Sequence, residues 1–223
     1  MKFKEKSNII FPKKLAVFPL SGALLLPGGR LPLNIFEKKY LNLVSDALAQ
    51  DRMFGMIQPN PDTSGDEKDI LSDQVLYKIG CLGRIVYFEE ADDGRFLIAL
   101  KGLSRFSMVR EVENIKGYRV LEVNYDQYED DSSLDSELIL DRDSIFDILP
   151  TYLDSQGLKL RVDAIEALSD LDLILTLSMI CPFNTREKQA LLESKSFSDR
   201  ADMLLALLQM GVFGNSENDE IFQ

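Results

Sequence analysis

Leu15-Ala-Val-Phe-Pro-Leu20, then Leu24-Leu-Leu-Pro27-Gly28-Gly29-Arg30-Leu31-Pro32-Leu33-Asn34-Ile35-Phe36, decides how this chain reads. Short apolar runs cut by Pro and Gly argue for strands and tight loops, because proline cannot donate into a ladder or continue a helix. Leu15–Leu20, Leu24–Leu26 and Leu31–Phe36 are the first three candidate strands. The prolines keep them at edges or bulges, where a missing amide is tolerated. The period then changes: over Lys38–Gln50 the apolar residues Tyr40, Leu41, Val44, Ala47 and Leu48 recur at three- and four-residue steps, which predicts an amphipathic helix.

Working outward, the strand pattern continues to Tyr125. Met53–Gln58 reads as a strand and Pro59–Asp66 as a loop. Lys78–Phe88 and Arg95–Lys101 form a hairpin around Glu89–Gly94, whose Asp93-Gly94 pair is a turn signal. Gly102 permits a break or bulge before Ser104–Val112, and Tyr118–Tyr125 is the last strand. Beyond it the period is helical. Leu138–Leu153 is a helix that Pro150 should kink, with Gly157 as its stop. Asp163–Met179 is a second helix. Asn184-Thr-Arg-Glu187 is a capping box opening Thr185–Glu193. Ser198 caps a last helix, Asp199–Met210, ended by Gly211. The organisation predicted is a basic arm over 1–14, a β-rich unit over 15–125, an acidic connector over 126–136, a helical bundle over 137–212 and a polar tail over 213–223.

The chain has 223 residues, 45% of them apolar and 28% charged, enough to bury a core without disulfide or metal staples. No apolar run approaches the roughly 18 residues of a membrane span. Lys13-Lys14 and the apolar run after it mimic a signal peptide, but Pro19 interrupts the run and no small-x-small cleavage site follows, so we expect a cytoplasmic protein. There is no histidine, which removes histidine general bases and most zinc sites. Cys81 and Cys181 lie too far apart for a Cys-x-x-Cys motif and read as two buried thiols. Phosphate-loop, nucleophile-elbow and Ser-x-x-Lys motifs are absent. The acidic runs at Glu89–Asp93 and Asp126–Asp131 read as solvated loops, not metal sites. No catalytic residue, cofactor or metal ligand is assigned. Charge is uneven: residues 1–125 carry a net of +2 and residues 126–223 a net of −14, within an overall −12. That balance disfavours nucleic acid as a partner.

Three ordered blocks resemble one family. The first is Leu15–Leu20 with Leu26-Pro27-Gly28-Gly29, Leu31-Pro32-Leu33, Ile35-Phe36-Glu37 and Tyr40-Leu41. The second is Ile79-Gly80, Gly83, Ile85, then Asp93-Gly94-Arg95, Leu97-Ile98 and Gly102-x-x-Arg105-Phe106. The third is Pro182-Phe183, Glu187-Lys188-Gln189, Leu191-Leu192-Glu193 and Arg200. Together they resemble the amino-terminal, substrate-binding domain of Lon protease, and most closely the short bacterial proteins built on this domain alone. The resemblance implies an α+β fold: a β-rich, PUA-like pseudobarrel followed by a helical bundle. It also implies a role in selecting unfolded substrates, with ATPase and peptidase work done by regions this sequence does not contain. The expectation is a non-enzymatic polypeptide-binding module, an adaptor in protein quality control. Its partners would be unfolded or extended polypeptides and a protease or chaperone. Leu24, Leu25, Leu26, Pro27, Leu31 and Leu33 are the candidate contacts. The alternative is a PUA-like small-ligand or RNA-binding domain stacking bases on Tyr77, Tyr87, Phe88 and Phe96. The sequence does not specify an oligomeric state.

Overall fold

The computed structural model describes residues 10–63, 75–132, 140–158 and 165–219. Residues 1–9 of the arm, 64–66 of the Pro59–Asp66 loop, 133–136 of the connector, the expected helix starts at Leu138 and Asp163 and the last four residues of the tail fall outside them. Among the described residues six strands and one α-helix build the first half: β1 (Lys14–Pro19), β2 (Arg30–Ile35), α1 (Lys38–Leu48), β3 (Met53–Ile57), β4 (Ile79–Glu90), β5 (Phe96–Ile115) and β6 (Tyr118–Asn124). The order is β2-β5-β4-β3-β1-β6, and β6 returns to pair with β5. Five strands therefore close into a barrel while β2 hangs on the outside of β5. Only β1 and β3 run parallel; the other pairings are antiparallel.

Closure depends on one long strand. β5 runs 20 residues, pairing with β2 and β4 through its first half and with β6 through its second. At Gly102, where the sequence permits a break or a bulge, the strand bulges: Leu82 faces Ser104 and Gly83 faces Gly102, so Leu103 is the extra residue. Phe106, fully buried, fills the barrel together with Leu15, Val17, Ile57, Leu82, Leu121 and Val123. Its ring needs room. A Cβ built on Gly80 would lie 2.4 Å from it and one on Gly55 2.8 Å. These glycines are packing positions more than bends.

The second half holds α2 (Arg142–Ser155), α3 (Asp170–Ile180), α4 (Thr185–Glu193) and α5 (Phe197–Asp219). Asp141 caps α2 by accepting from the Ser144 amide, and the helix runs on through Pro150. It ends as expected at Gly157, φ +65°, where Leu158 N–H reaches Leu153 O and Gly157 N–H reaches Asp154 O. The single helix expected over Asp163–Met179 is interrupted. Ser169, in an extended conformation, caps a new helix by accepting from Asp172 N–H. The Asn184–Glu187 capping box is present. The last helix starts two residues earlier than expected, with Ser196 and Asp199 bonded reciprocally, and does not stop at Gly211. That glycine faces α2, where a Cβ would lie 2.5 Å from the Tyr152 ring, so it permits close packing rather than ending the helix. One apolar cluster takes Leu24–Leu26, Ile98 and Leu100 from the β side and Leu149, Leu173, Leu191, Leu204 and Leu208 from the helices.

Candidate functional site

The six candidate contacts separate into two groups. Leu24, Leu25 and Leu26 do not form the expected strand; they are an extended segment with 1%, 2% and 0% of their surface exposed, and Pro27 is buried with them. Two backbone bonds clamp the segment to β5: Gly28 N–H to Gly102 O at 3.0 Å and Gly102 N–H to Gly29 O at 2.9 Å. A Cβ on Gly102 would sit 2.0 Å from Leu26 O, so only glycine allows this approach. Their apolar side chains have no route to a ligand in this conformation. Leu31 and Leu33 are half-buried on β2, pointing with Ile35 toward the core beside Leu100 and Ile98.

β2 itself is an edge. Among the described residues it pairs with β5 alone, and Arg30, Pro32 and Asn34 on its other face are exposed. A sheet tolerates proline where no ladder bond is required, so the Pro32 nitrogen faces the unpaired side. Asn34, two residues on, presents its N–H the same way. Just beyond the strand, Phe36 is 67% exposed. Across the sheet, the β4–β5 hairpin exposes Val86, Tyr87 and Phe88, with Phe88 edge-on to Phe96 at 5.1 Å between ring centres. Of the four aromatics considered for base stacking, Phe88 and Phe96 meet on this hairpin, while Tyr87 lies on its opposite face. Tyr77 lies elsewhere, bonded through its backbone to Gln58 O.

A second constellation lies between the barrel and α4. Arg105 is buried, and its guanidinium meets the Asp131 carboxylate at 2.7–3.1 Å, stacks over Tyr128 at 4.8 Å and donates to Leu192 O and Ser194 O. Arg200 donates to Leu191 O. Two arginines therefore satisfy the orphan carbonyls at the C-terminal end of α4, where positive charge also suits the helix dipole. At the other end Lys188 donates to Gly22 O and Met179 O, and Gln189 to Ile79 O. Burial pulls Arg200 down to about 10, which leaves it cationic at neutral pH. This seam fixes the helices on the barrel; it is not an open site.

The substrate-binding domain of the ATP-dependent protease La (Lon) matches the chain over residues 14–210. The chain belongs to this Lon substrate-binding family. It is 26% identical over 203 residues to the Lon protease of Flavobacterium johnsoniae, covering 89% of this chain and 24% of that protein. To Lon protease 2 of Myxococcus xanthus it is 30% identical over 122 residues, 55% of this chain and 14% of the relative. The chain thus spans about a quarter or less of the curated Lon proteases it matches. Among solved structures, a Lon N-terminal domain protein from Xanthomonas campestris superposes with a TM-score of 0.58 at 23% identity, covering 86% of this chain and 97% of that one. The N-terminal domain of Mycobacterium avium complex Lon protease gives the same score at 14% identity, covering 88% and 98%. The α+β reading of the fold agrees with both.

The Lon-family blocks in the sequence map chiefly onto the seam and the clamp: Arg105, Lys188, Gln189 and Arg200 hold α4, and Gly102 holds Leu26. Within the Lon fold the two thiols are free and buried, and burial raises both, Cys181 to about 12, so neither is an activated nucleophile at neutral pH. Among the described residues no group of three His, Cys, Asp or Glu is placed to hold a metal, and no helix is long and apolar enough to cross a membrane.

Proposed function

We propose that this Lon-family domain is a non-enzymatic polypeptide-binding module that accepts an extended apolar segment along the free edge of β2. The observation that carries the proposal is the edge of β2, unpaired among the described residues, with exposed Phe36 at its end and exposed Tyr87 two strands in on the Pro32 face. Main-chain bonds from an added strand give affinity without sequence demand, and the flanking rings supply apolar contact. Of the six residues first considered, Leu31 and Leu33 remain as positioning residues, since they anchor β2 to the core. Leu24–Pro27 support the sheet from behind. In the cytoplasm such a module serves as an adaptor that presents unfolded chains to a protease or chaperone. The family match covers a substrate-binding domain only, which supports a binding role and not ATP turnover or peptide cleavage.

The test is a pair of variants and a labelled, reduced and unfolded model polypeptide. Asn34→Pro removes the outward amide and leaves the β2–β5 ladder intact; Phe36→Ala trims the exposed ring. Each should weaken binding about tenfold, on the order of 1.4 kcal/mol, with an unchanged thermal midpoint. Wild-type affinity in both folded variants would dismiss the β2 edge. Binding to RNA with a steep salt slope would favour the small-ligand or RNA alternative instead.

A further inference from the structure

Arg30, Lys101 and Arg84 stand far apart in sequence, yet β2, β5 and β4 bring them side by side. Arg30 is the register partner of Lys101, and Lys101 that of Arg84. All three are exposed on the outer face of the sheet. Adjacent strands lie about 4.8 Å apart, so the row spans roughly 10 Å. Among the described residues no carboxylate pairs with any of the three, although the same barrel pairs Arg110 with Glu122 and Arg119 with Glu111 across its strands. Like charges placed directly opposite destabilise a sheet. Arg30 and Pro32 also guard an edge strand against unwanted pairing, but Lys101 and Arg84 lie on interior strands, which edge protection does not explain. The next row on the same face is apolar: Pro32, Ala99 and Tyr87.

We infer that this basic row reads acidic side chains of the bound segment, so that the preferred substrates are extended stretches with carboxylates beside apolar residues. The inference rests on the β2-edge reading above and assigns it a substrate class. Charge complementarity sets the occupant. An added strand places one outward side chain beside Arg30, with Lys101 and Arg84 one and two strands further in, and its next outward side chain beside the apolar row, so the match is a carboxylate followed two residues on by an apolar side chain. A continuous phosphate backbone fits poorly, because the hairpin tip of the same two strands carries Glu89, Glu90, Asp92 and Asp93 and the whole chain carries −12. The acidic tip also gives the site a direction, with the substrate's carboxylates held at the Arg30–Lys101–Arg84 end.

The experiment titrates the full chain with three fluorescent peptides of equal apolar content whose variable positions are Glu, Gln or Lys, at low and moderate salt. The expected order of affinity at low salt is Glu, then Gln, then Lys, narrowing as salt rises. Lys101→Glu should weaken the Glu peptide about fivefold, leave the Gln peptide unchanged and raise the thermal midpoint by breaking up the like-charge row. Arg84→Gln should act in the same direction and more weakly. Equal affinity for all three peptides would overturn the charge reading while leaving the edge reading intact. A charge order that persists in Asn34→Pro with undiminished Gln-peptide binding would overturn the edge and keep the row. A single-stranded oligonucleotide that outcompetes the Glu peptide and is itself weakened by Lys101→Glu would assign the row to phosphates and overturn the inference.

Discussion

Leu25 and Arg105 show how differently two residues of one motif-rich chain are used. Leu25 is 2% exposed, and its Cδ2 would lie 2.8 Å from a Cβ on Gly83. Leu25→Asp should therefore place an unpaired carboxyl in the core and cost about 4–5 kcal/mol, read as loss of the thermal transition at ambient temperature. Retention of a native-like midpoint would show that this segment can detach. Arg105→Ala leaves Asp131, whose side chain is 7% exposed, without its partner and uncaps Leu192 O at the end of α4 and Ser194 O just past it; we expect a loss of about 3–5 kcal/mol by denaturant titration. Arg105→Lys should recover little, since a lysine cannot bridge a carboxylate and two carbonyls as a planar fork does. In the sequence Arg105, beside Phe106, reads either as a plain surface arginine or as one that reaches a carboxylate or stacks, with neither partner named. The carboxylate comes from Asp131 and the ring from Tyr128, both in a stretch that reads as acidic connector. No local signal announces that such a loop folds back into the core.

At the level of elements, α5 and α2 make a test of sign. Replacing a helix-interior glycine by alanine ordinarily stabilises by about 1 kcal/mol. At Gly211 the added methyl would meet the buried Tyr152 ring at 2.5 Å, so Gly211→Ala should instead destabilise by about 1–3 kcal/mol in chemical denaturation. A gain would mean that α2 and α5 separate easily. The same glycine explains why the sequence reading ended this helix early: a Gly after an apolar run signals a C-cap or a close helix contact, and composition does not separate the two. Strands were legible wherever alternation and an Asp-Gly turn coincided, as in β4 and β5. The segment Leu24–Leu26 misled because three consecutive buried leucines look like a strand, although their backbone bonds go through Gly28, Gly29 and Gly102. The edge and its basic row were not legible. They depend on which strands are neighbours, and residues 30, 84 and 101 become adjacent only through register.

For the whole molecule, burial sets the alkaline limit. Cys181 rises to about 12 from an ordinary 9.0, chiefly through burial, and Tyr118 to about 12 from 10.0 through burial and its bond to Asp46. Both groups keep their protons longer when folded, so the stability they contribute is intact below pH 9 and is lost as pH rises from 9 to about 12. Denaturant midpoints measured at pH 7, 9 and 11 should fall only over the second interval; a flat profile would mean that these groups ionise without unfolding. The barrel's closing pair has a consequence for biosynthesis. Leu15 on β1 pairs with Leu121 on β6, more than a hundred residues later, so a nascent chain cannot seal the barrel until nearly its whole first half has left the ribosome. Until then one edge of β1 and the barrel interior that Phe106 fills stay open to neighbours on the same polysome. This Lon-family domain must therefore itself pass through a long, sticky adolescence, and slow translation before Asn124 should raise its dependence on holding chaperones.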